Sequence, residues 1–180
     1  VKNVEDVNLK VDAKLLGTVY YENKRKHGLK RRDAKSFSLL LTNPMLSFRY
    51  VESYRMLATR VRFALDSENK NILMVTSVSE NEGKSTVAAN IAVALAQEGK
   101  KVFLVDCDFR KPAQYKIFSR KSQGHFSLEE VLKGEADWQD AVIGNRQNYL
   151  YQLLQFRPVA DSSGALNAPT LTELMNTWRE

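Results

Sequence analysis

Ten consecutive residues, Ser77-Val78-Ser79-Glu80-Asn81-Glu82-Gly83-Lys84-Ser85-Thr86, have the types and spacing that hold a phosphate. A glycine lets the backbone approach an anion closely. Backbone N–H groups of a loop that opens a helix point at that anion, with the helix dipole behind them. In such a loop Gly83 gives the close approach, Lys84 reaches the β- and γ-phosphates of ATP, and the Ser85 hydroxyl meets Mg²⁺. Asn81, Glu82 and Thr86 complete the expected nucleotide contacts. The strict pattern G-x-x-x-x-G-K-[ST] is not met, because its first glycine falls on Val78. A second group, Asp106-Cys107-Asp108, is followed by Phe109-Arg110-Lys111-Pro112. Two carboxylates two residues apart at the end of an extended run point the same way, and can hold Mg²⁺ or take a proton from an attacking hydroxyl. The expected site is therefore Lys84, Asp106 and Asp108 for the chemistry, with Ser85, Asp106 and Asp108 as metal ligands. Cys107 reads as a small buried residue, and His27 and His125 are too few and too far apart in sequence for a metal site.

The elements that must position these groups follow from periodicity. Asn71–Thr76 is a short apolar run of buried-strand type before the loop, and Lys84–Ala96 an alanine-rich helix after it, stopped by Gly99 at the usual C′ position. Lys101–Asp106 is a second buried strand. Strand, loop, helix and strand make one βαβ unit, which predicts an α/β fold with a parallel sheet flanked by helices. At the carboxyl ends of such strands ligands bind. Elsewhere, Val4–Leu9 predicts a short helix, Lys14–Tyr20 a strand, and Ser47–Leu65 a helix with Phe48, Val51, Met56, Leu57, Val61 and Ala64 as its apolar positions. Residues 22–44 read as irregular and close on the turn dipeptide Asn43-Pro44. Beyond Asp108 the pattern is mostly helical, with a helix capped by Ser127 and Glu130, a third buried strand over Tyr149–Phe156, and a last helix over Pro169–Trp178.

Composition narrows the function classes. At 180 residues, 43% hydrophobic and 27% charged, the chain is in the range of globular domains. Its longest unbroken apolar stretch, Ile91–Ala96, is far short of the roughly 20 residues of a membrane helix. One cysteine excludes an internal disulfide framework and a cysteine zinc cage. The net charge of +6 has a local origin: Lys24, Arg25, Lys26, Lys30, Arg31, Arg32 and Lys35 stand against Asp33 alone, and the rest of the chain balances. A nucleic-acid binder spreads its basic footprint over a folded face, so this compact run reads as a solvated loop or a loop on an anionic membrane surface. The seven tyrosines are scattered and most read as packing residues, and Trp138 and Trp178 as core or helix-surface anchors.

The two motifs together closely resemble those of the bacterial tyrosine kinases of capsule and exopolysaccharide synthesis, which carry a Walker A loop without the first glycine and a D-x-D-x-R-x-P motif. Glu52-Ser53-Tyr54-Arg55 resembles that family's E-x-x-R-x-x-R helix motif, with Ala58 in the third place, and Leu16-Gly17-Thr18 resembles its linker after a membrane helix. The family's Pro-Gly inside the loop is Glu80-Asn81 here. The resemblance implies a P-loop NTPase-like fold and an ATP- and Mg²⁺-dependent autokinase that regulates polysaccharide chain length and export. It implies a juxtamembrane linker over residues 1–45 and the N-terminal part of the kinase domain over 46–180, ending before the Walker B strand and leaving this piece soluble and inactive alone. It also implies a ring of subunits meeting through Glu52 and Arg55, contact with the polysaccharide export and polymerisation machinery, and a place on the cytoplasmic face of the bacterial membrane. Two other readings fit the motifs: a partition- or septum-positioning ATPase, whose signature lysine would stand where Ser79 does, and a nucleotide-binding module without transfer.

Overall fold

The computed structural model describes residues 13–23, 38–144, 147–166 and 169–179. The basic run from Lys24 to Lys35 and the helix expected over Val4–Leu9 lie outside the described residues. The described elements are α1 (Phe48–Ser67), α2 (Lys84–Gln97), β1 (Val102–Val105), α3 (Gln114–Ile117), α4 (Leu128–Leu132), α5 (Trp138–Ala141), β2 (Ile143–Gly144), β3 (Leu150–Leu153), α6 (Ser162–Leu166) and α7 (Pro169–Thr177).

Three strands form one sheet in the order β1-β3-β2. β1 and β3 run parallel, with Val102 opposite Leu150 and Val105 opposite Leu153. β2 is antiparallel to β3, so the sheet is mixed and not wholly parallel as expected. The reason is connection length. The chain between β1 and β3 is long enough for a crossover, whereas the five residues between Gly144 and Leu150 permit only an antiparallel return.

Two expected strands are absent. Residues 71–77 pair with no strand among the described residues, and Ile72, Leu73 and Met74 are exposed, Met74 at 83%. An apolar run becomes a buried strand only where another strand pairs with it; β1 pairs with β3 alone among the described residues, and residues 71–77 do not join its bare edge. Residues 14–20 also form no strand, because their polar backbone groups go to α1: Arg60 donates to the Leu16 carbonyl and Ser53 Oγ accepts from Tyr20 N–H.

The helices follow their sequence signals more closely. Ser47 caps α1 by accepting from Tyr50 N–H, and Glu22 in turn accepts from the Ser47 hydroxyl at 2.5 Å. α4 carries the full capping box of Ser127 and Glu130. α2 ends at Gly99, whose φ of +80° is the left-handed conformation a helix stop requires. α1 packs on α2 through Tyr50, Tyr54 and Ala58 against Ala89 and Val93, with Leu40 and Leu41 closing the cluster. Asn90 pins that closure. Its Oδ1 accepts from Leu41 N–H at 2.9 Å and its Nδ2 donates to the Leu39 carbonyl and the Tyr50 hydroxyl. A second cluster, Phe109, Leu128, Val131, Ala141 and Leu153, fills the space under β1 and β3. Phe103 stacks edge-on to Trp178 at 5.1 Å, with Trp138 beside both, so the two tryptophans are anchors as expected.

Candidate nucleotide site

The phosphate loop bends through two left-handed residues, Asn81 at φ +63° and Gly83 at φ +91°. Asparagine tolerates that region better than most residues, and at Gly83 a side chain would be strained however open the space. Gly83 is the N-cap of α2 and gives no side-chain cap. The amides of the first helical turn, those of Lys84, Ser85 and Thr86, therefore face outward without such a partner, as an anion site needs. Glu82 does not extend toward a ligand: its Oε2 accepts from the N–H groups of Val78 and Ser79, each at 3.1 Å. The carboxylate thus braces the start of the loop, where the usual glycine is replaced by Val78.

The two aspartates part company. The chain turns immediately after β1, so they do not share one extended edge. Asp106, 6% exposed, accepts from Asp108 N–H at 3.2 Å and from Gln114 N–H at 3.1 Å. Burial raises its carboxyl above the ordinary range, against the pull of those amides. Asp108 reaches across to the phosphate loop, where its Oδ2 lies 2.5 Å from Lys84 Nζ. Partial burial pushes the Asp108 carboxyl up, but the Lys84 ammonium and the Lys111 N–H outweigh it and hold the group low. Lys84 and Asp108 are thus brought together, and Asp106 stands behind them on the turn.

Two features of the site had no reading in the sequence. Lys111 pairs with Glu80 at 2.5 Å, a second bridge between the same two loops, and both partners are exposed. Gln114, buried at the start of α3, donates from Nε2 to the Ser85 carbonyl at 3.0 Å. Cys107 is exposed as a residue, yet desolvation of its thiol and the charge of Asp106 push that thiol up to about 11, so it is no thiolate at neutral pH. Glu52 and Arg55 pair with each other at 2.8 Å on the outer face of α1, while Ala58 is wholly buried against α2.

Ser85, Asp106 and Asp108 present hard oxygen donors. Among the described residues no group of three or more His, Cys, Asp or Glu side chains could hold a metal by itself. That donor set fits Mg²⁺, which keeps several waters and takes one or two carboxylates together with substrate phosphates.

Residues 73–155, which span the loop, both aspartates and β3, match the CobQ/CobB/MinD/ParA nucleotide binding domain. The chain is 38% identical over 99 residues to the tyrosine-protein kinase YwqD of Bacillus subtilis, covering 55% of this chain and 41% of that protein. It is 33% identical over 119 residues to a putative tyrosine-protein kinase in the cps region of Klebsiella pneumoniae, covering 66% of this chain and 16% of that one. The chain therefore spans well under half the length of these relatives. Among solved structures, the BceF tyrosine kinase domain superposes with a TM-score of 0.82 at 22% identity, covering 99% of this chain and 72% of that chain. The chimerical protein CapA2B2 superposes at 0.75 with 27% identity, covering 98% and 70%. The resemblance read from the sequence thus stands: residues 73–155 are similar to the CobQ/CobB/MinD/ParA nucleotide binding domain, and the chain is akin in sequence and in fold to the bacterial tyrosine-protein kinases.

Proposed function

We propose that the protein is an ATP- and Mg²⁺-dependent tyrosine kinase that phosphorylates itself and partner proteins in the control of polysaccharide chain length and export. The observation that carries this reading is the Lys84–Asp108 pair at the N-terminus of α2, which sets a cation beside free helix amides and a carboxylate beside the cation. ATP draws the Lys84 ammonium onto its β- and γ-phosphates, and Asp108 is released to orient an incoming tyrosine hydroxyl. Ser85 and Asp106 would hold Mg²⁺, whose charge would offset that of the phosphates when bound, while Asp106 also accepts from the Asp108 and Gln114 amides. Little covalent chemistry falls to the protein, since phosphoryl transfer is catalysed by positioning and charge.

Residues 1–45 serve in this reading as a juxtamembrane linker and residues 46–180 as the N-terminal part of the kinase domain, with the basic run Lys24–Lys35 against an anionic leaflet on the cytoplasmic side. No helix among the described residues is long and apolar enough to cross a membrane. Glu52 and Arg55 lie on the outer face of α1, where a neighbouring subunit could take them up, and the polysaccharide export machinery is the wider partner.

The test is phosphoamino-acid analysis after incubation of the protein, at the length its gene encodes, with radiolabelled ATP and Mg²⁺. Phosphotyrosine that is lost in Lys84→Met supports the kinase. ATP binding with hydrolysis and no phosphotyrosine favours the nucleotide-switched ATPase, a reading that the family match over residues 73–155 also suits.

A further inference from the structure

Two side chains tie the first turn of α2 to the turn after β1, and nucleotide affects them differently. The first is Lys84, paired with Asp108. One ammonium cannot serve both Asp108 and the phosphates at full strength, so nucleotide loosens this tie just when the metal ligands must be in register. The second is Gln114. Its backbone N–H donates to Asp106 Oδ2 at 3.1 Å and its Nε2 donates to the Ser85 carbonyl at 3.0 Å, so one residue is bonded to both sides of the expected metal site. Neither bond competes with a phosphate.

Gln114 is 4% exposed, and its Oε1 is buried with no hydrogen-bond partner. Unpartnered buried acceptors are costly, and an apolar side chain of similar shape would avoid the cost. Capping does not account for the amide either. The N-cap of α3 is Ala113, and Asp106 is served by the backbone of Gln114, which any residue but proline supplies.

We propose that Gln114 is a positioning residue that holds Ser85 and Asp106 in register for the divalent cation bound with the nucleotide. The proposal rests on the nucleotide-site reading above and adds a residue to it. Gln114 acts through Ser85 and Asp106, and its effect belongs to the metal-dependent part of nucleotide binding.

The test is calorimetry of ADP binding to wild type and to Gln114→Met, matched in length, with EDTA and then with Mg²⁺. Residues that orient metal ligands typically account for about 10- to 100-fold in metal affinity. The expected result is a metal-free ADP affinity within about twofold of wild type and a loss of about tenfold in the Mg²⁺ concentration dependence, in line with that range. Electron paramagnetic resonance of Mn²⁺ with ADP should show the same weakening, and Gln114→Leu keeps the test open if the methionine variant folds poorly. Equal loss with and without Mg²⁺ makes Gln114 a prop of the loop and overturns the proposal, as does no loss in either. Wild type that binds no ADP overturns the nucleotide-site reading itself, and the proposal with it.

Discussion

Lys84 Nζ and Asp108 Oδ2 meet at 2.5 Å across two loops that are 24 residues apart in sequence. The ammonium that a phosphate would claim is held by a carboxylate of the same chain, and that carboxylate lies at the mouth of the site. Binding is then an exchange of partners, and each side of the exchange can be altered separately.

Replacing Lys84 by methionine removes the cation and leaves the helix intact. A hydrogen bond to a charged group contributes about 1.5–3 kcal/mol, so ATP affinity should fall by about 10- to 150-fold. Calorimetry measures the loss, and an unchanged far-ultraviolet circular dichroism spectrum shows that the fold survives. Unchanged affinity would end the phosphate-loop assignment.

Asp108→Asn frees Lys84 without removing it. ADP affinity should stay or rise, while phosphotyrosine formation falls by a factor on the order of 100, the usual range for a group that handles a proton. The pH dependence has a definite sign. The folded-state carboxyl of Asp108 is held low, so its contribution to stability is present above the ordinary carboxylate value of about 3.9 and lost as pH falls through the lower folded value. Urea midpoints of wild type and variant should keep a constant difference from pH 7 to about 5 and converge below about 4.

Asp106 should behave in the opposite sense. Burial raises its carboxyl, so wild type loses stability relative to Asp106→Asn as pH rises through that raised value. Asp106→Ala leaves the Asp108 and Gln114 amides without their acceptor and should cost about 2 kcal/mol, since each unpaired buried group costs about 1–3 kcal/mol. Denaturant titrations of both variants at pH 5 and pH 8 test the pair of statements. A wild-type advantage over the asparagine variant that grows with pH would contradict them.

Asn90→Ala should be among the most damaging single changes in the first core cluster. It strands Leu41 N–H and takes one of two bonds from the Leu39 carbonyl and the Tyr50 hydroxyl, which keep their own bond at 3.0 Å, at a cost of about 2 kcal/mol. The thermal midpoint should drop by about 4–8 °C, since 1 kcal/mol shifts a domain of this size by about 2–4 °C. A drop of only a degree or two would mean that water replaces the side chain.

The basic run from Lys24 to Lys35 should bind anionic vesicles. Each basic residue near such a surface contributes about 1 kcal/mol, an attraction that fades within a Debye length of about 8 Å at physiological salt. Co-sedimentation should be strong with anionic and absent with neutral vesicles, weaken at high salt, and disappear when Lys24, Arg25, Lys26, Lys30, Arg31 and Arg32 become glutamine. Binding that survives those changes would rule out a role for the charge.

How legible the molecule was in its sequence depended on whether each signal was local. The cap at Ser127 with Glu130, the stop at Gly99 and the length of α1 depend on neighbours within one helical turn, and all stand where their residue types place them. The strands over 14–20 and 71–76 failed because pairing is a property of two segments, and β-prone residues show only that one side is ready. The carboxylate pair was found by type, but its geometry was not. Seeing that Asp106 turns inward requires knowing that the chain bends at Cys107 and brings Gln114 N–H back to it. Gln114 itself, a glutamine at the start of a four-residue helix, has no local signature that separates it from a surface residue.

The unpaired stretch 71–77 has a consequence for how the protein behaves in a crowded tube. Ile72, Leu73 and Met74 lie in the open with the backbone hydrogen-bonding groups of that stretch free of any ladder, and one edge of β1 is equally bare among the described residues. Free edges with apolar side chains are templates on which other chains add as strands, and proteins ordinarily guard them with charge. Here the nearest charged guards are Lys70 on one side and Glu80 on the other, with nothing charged between them. Concentrating these 180 residues should therefore favour strand-on-strand association at this stretch, and Met74→Lys, at the most exposed of the three, should reduce it.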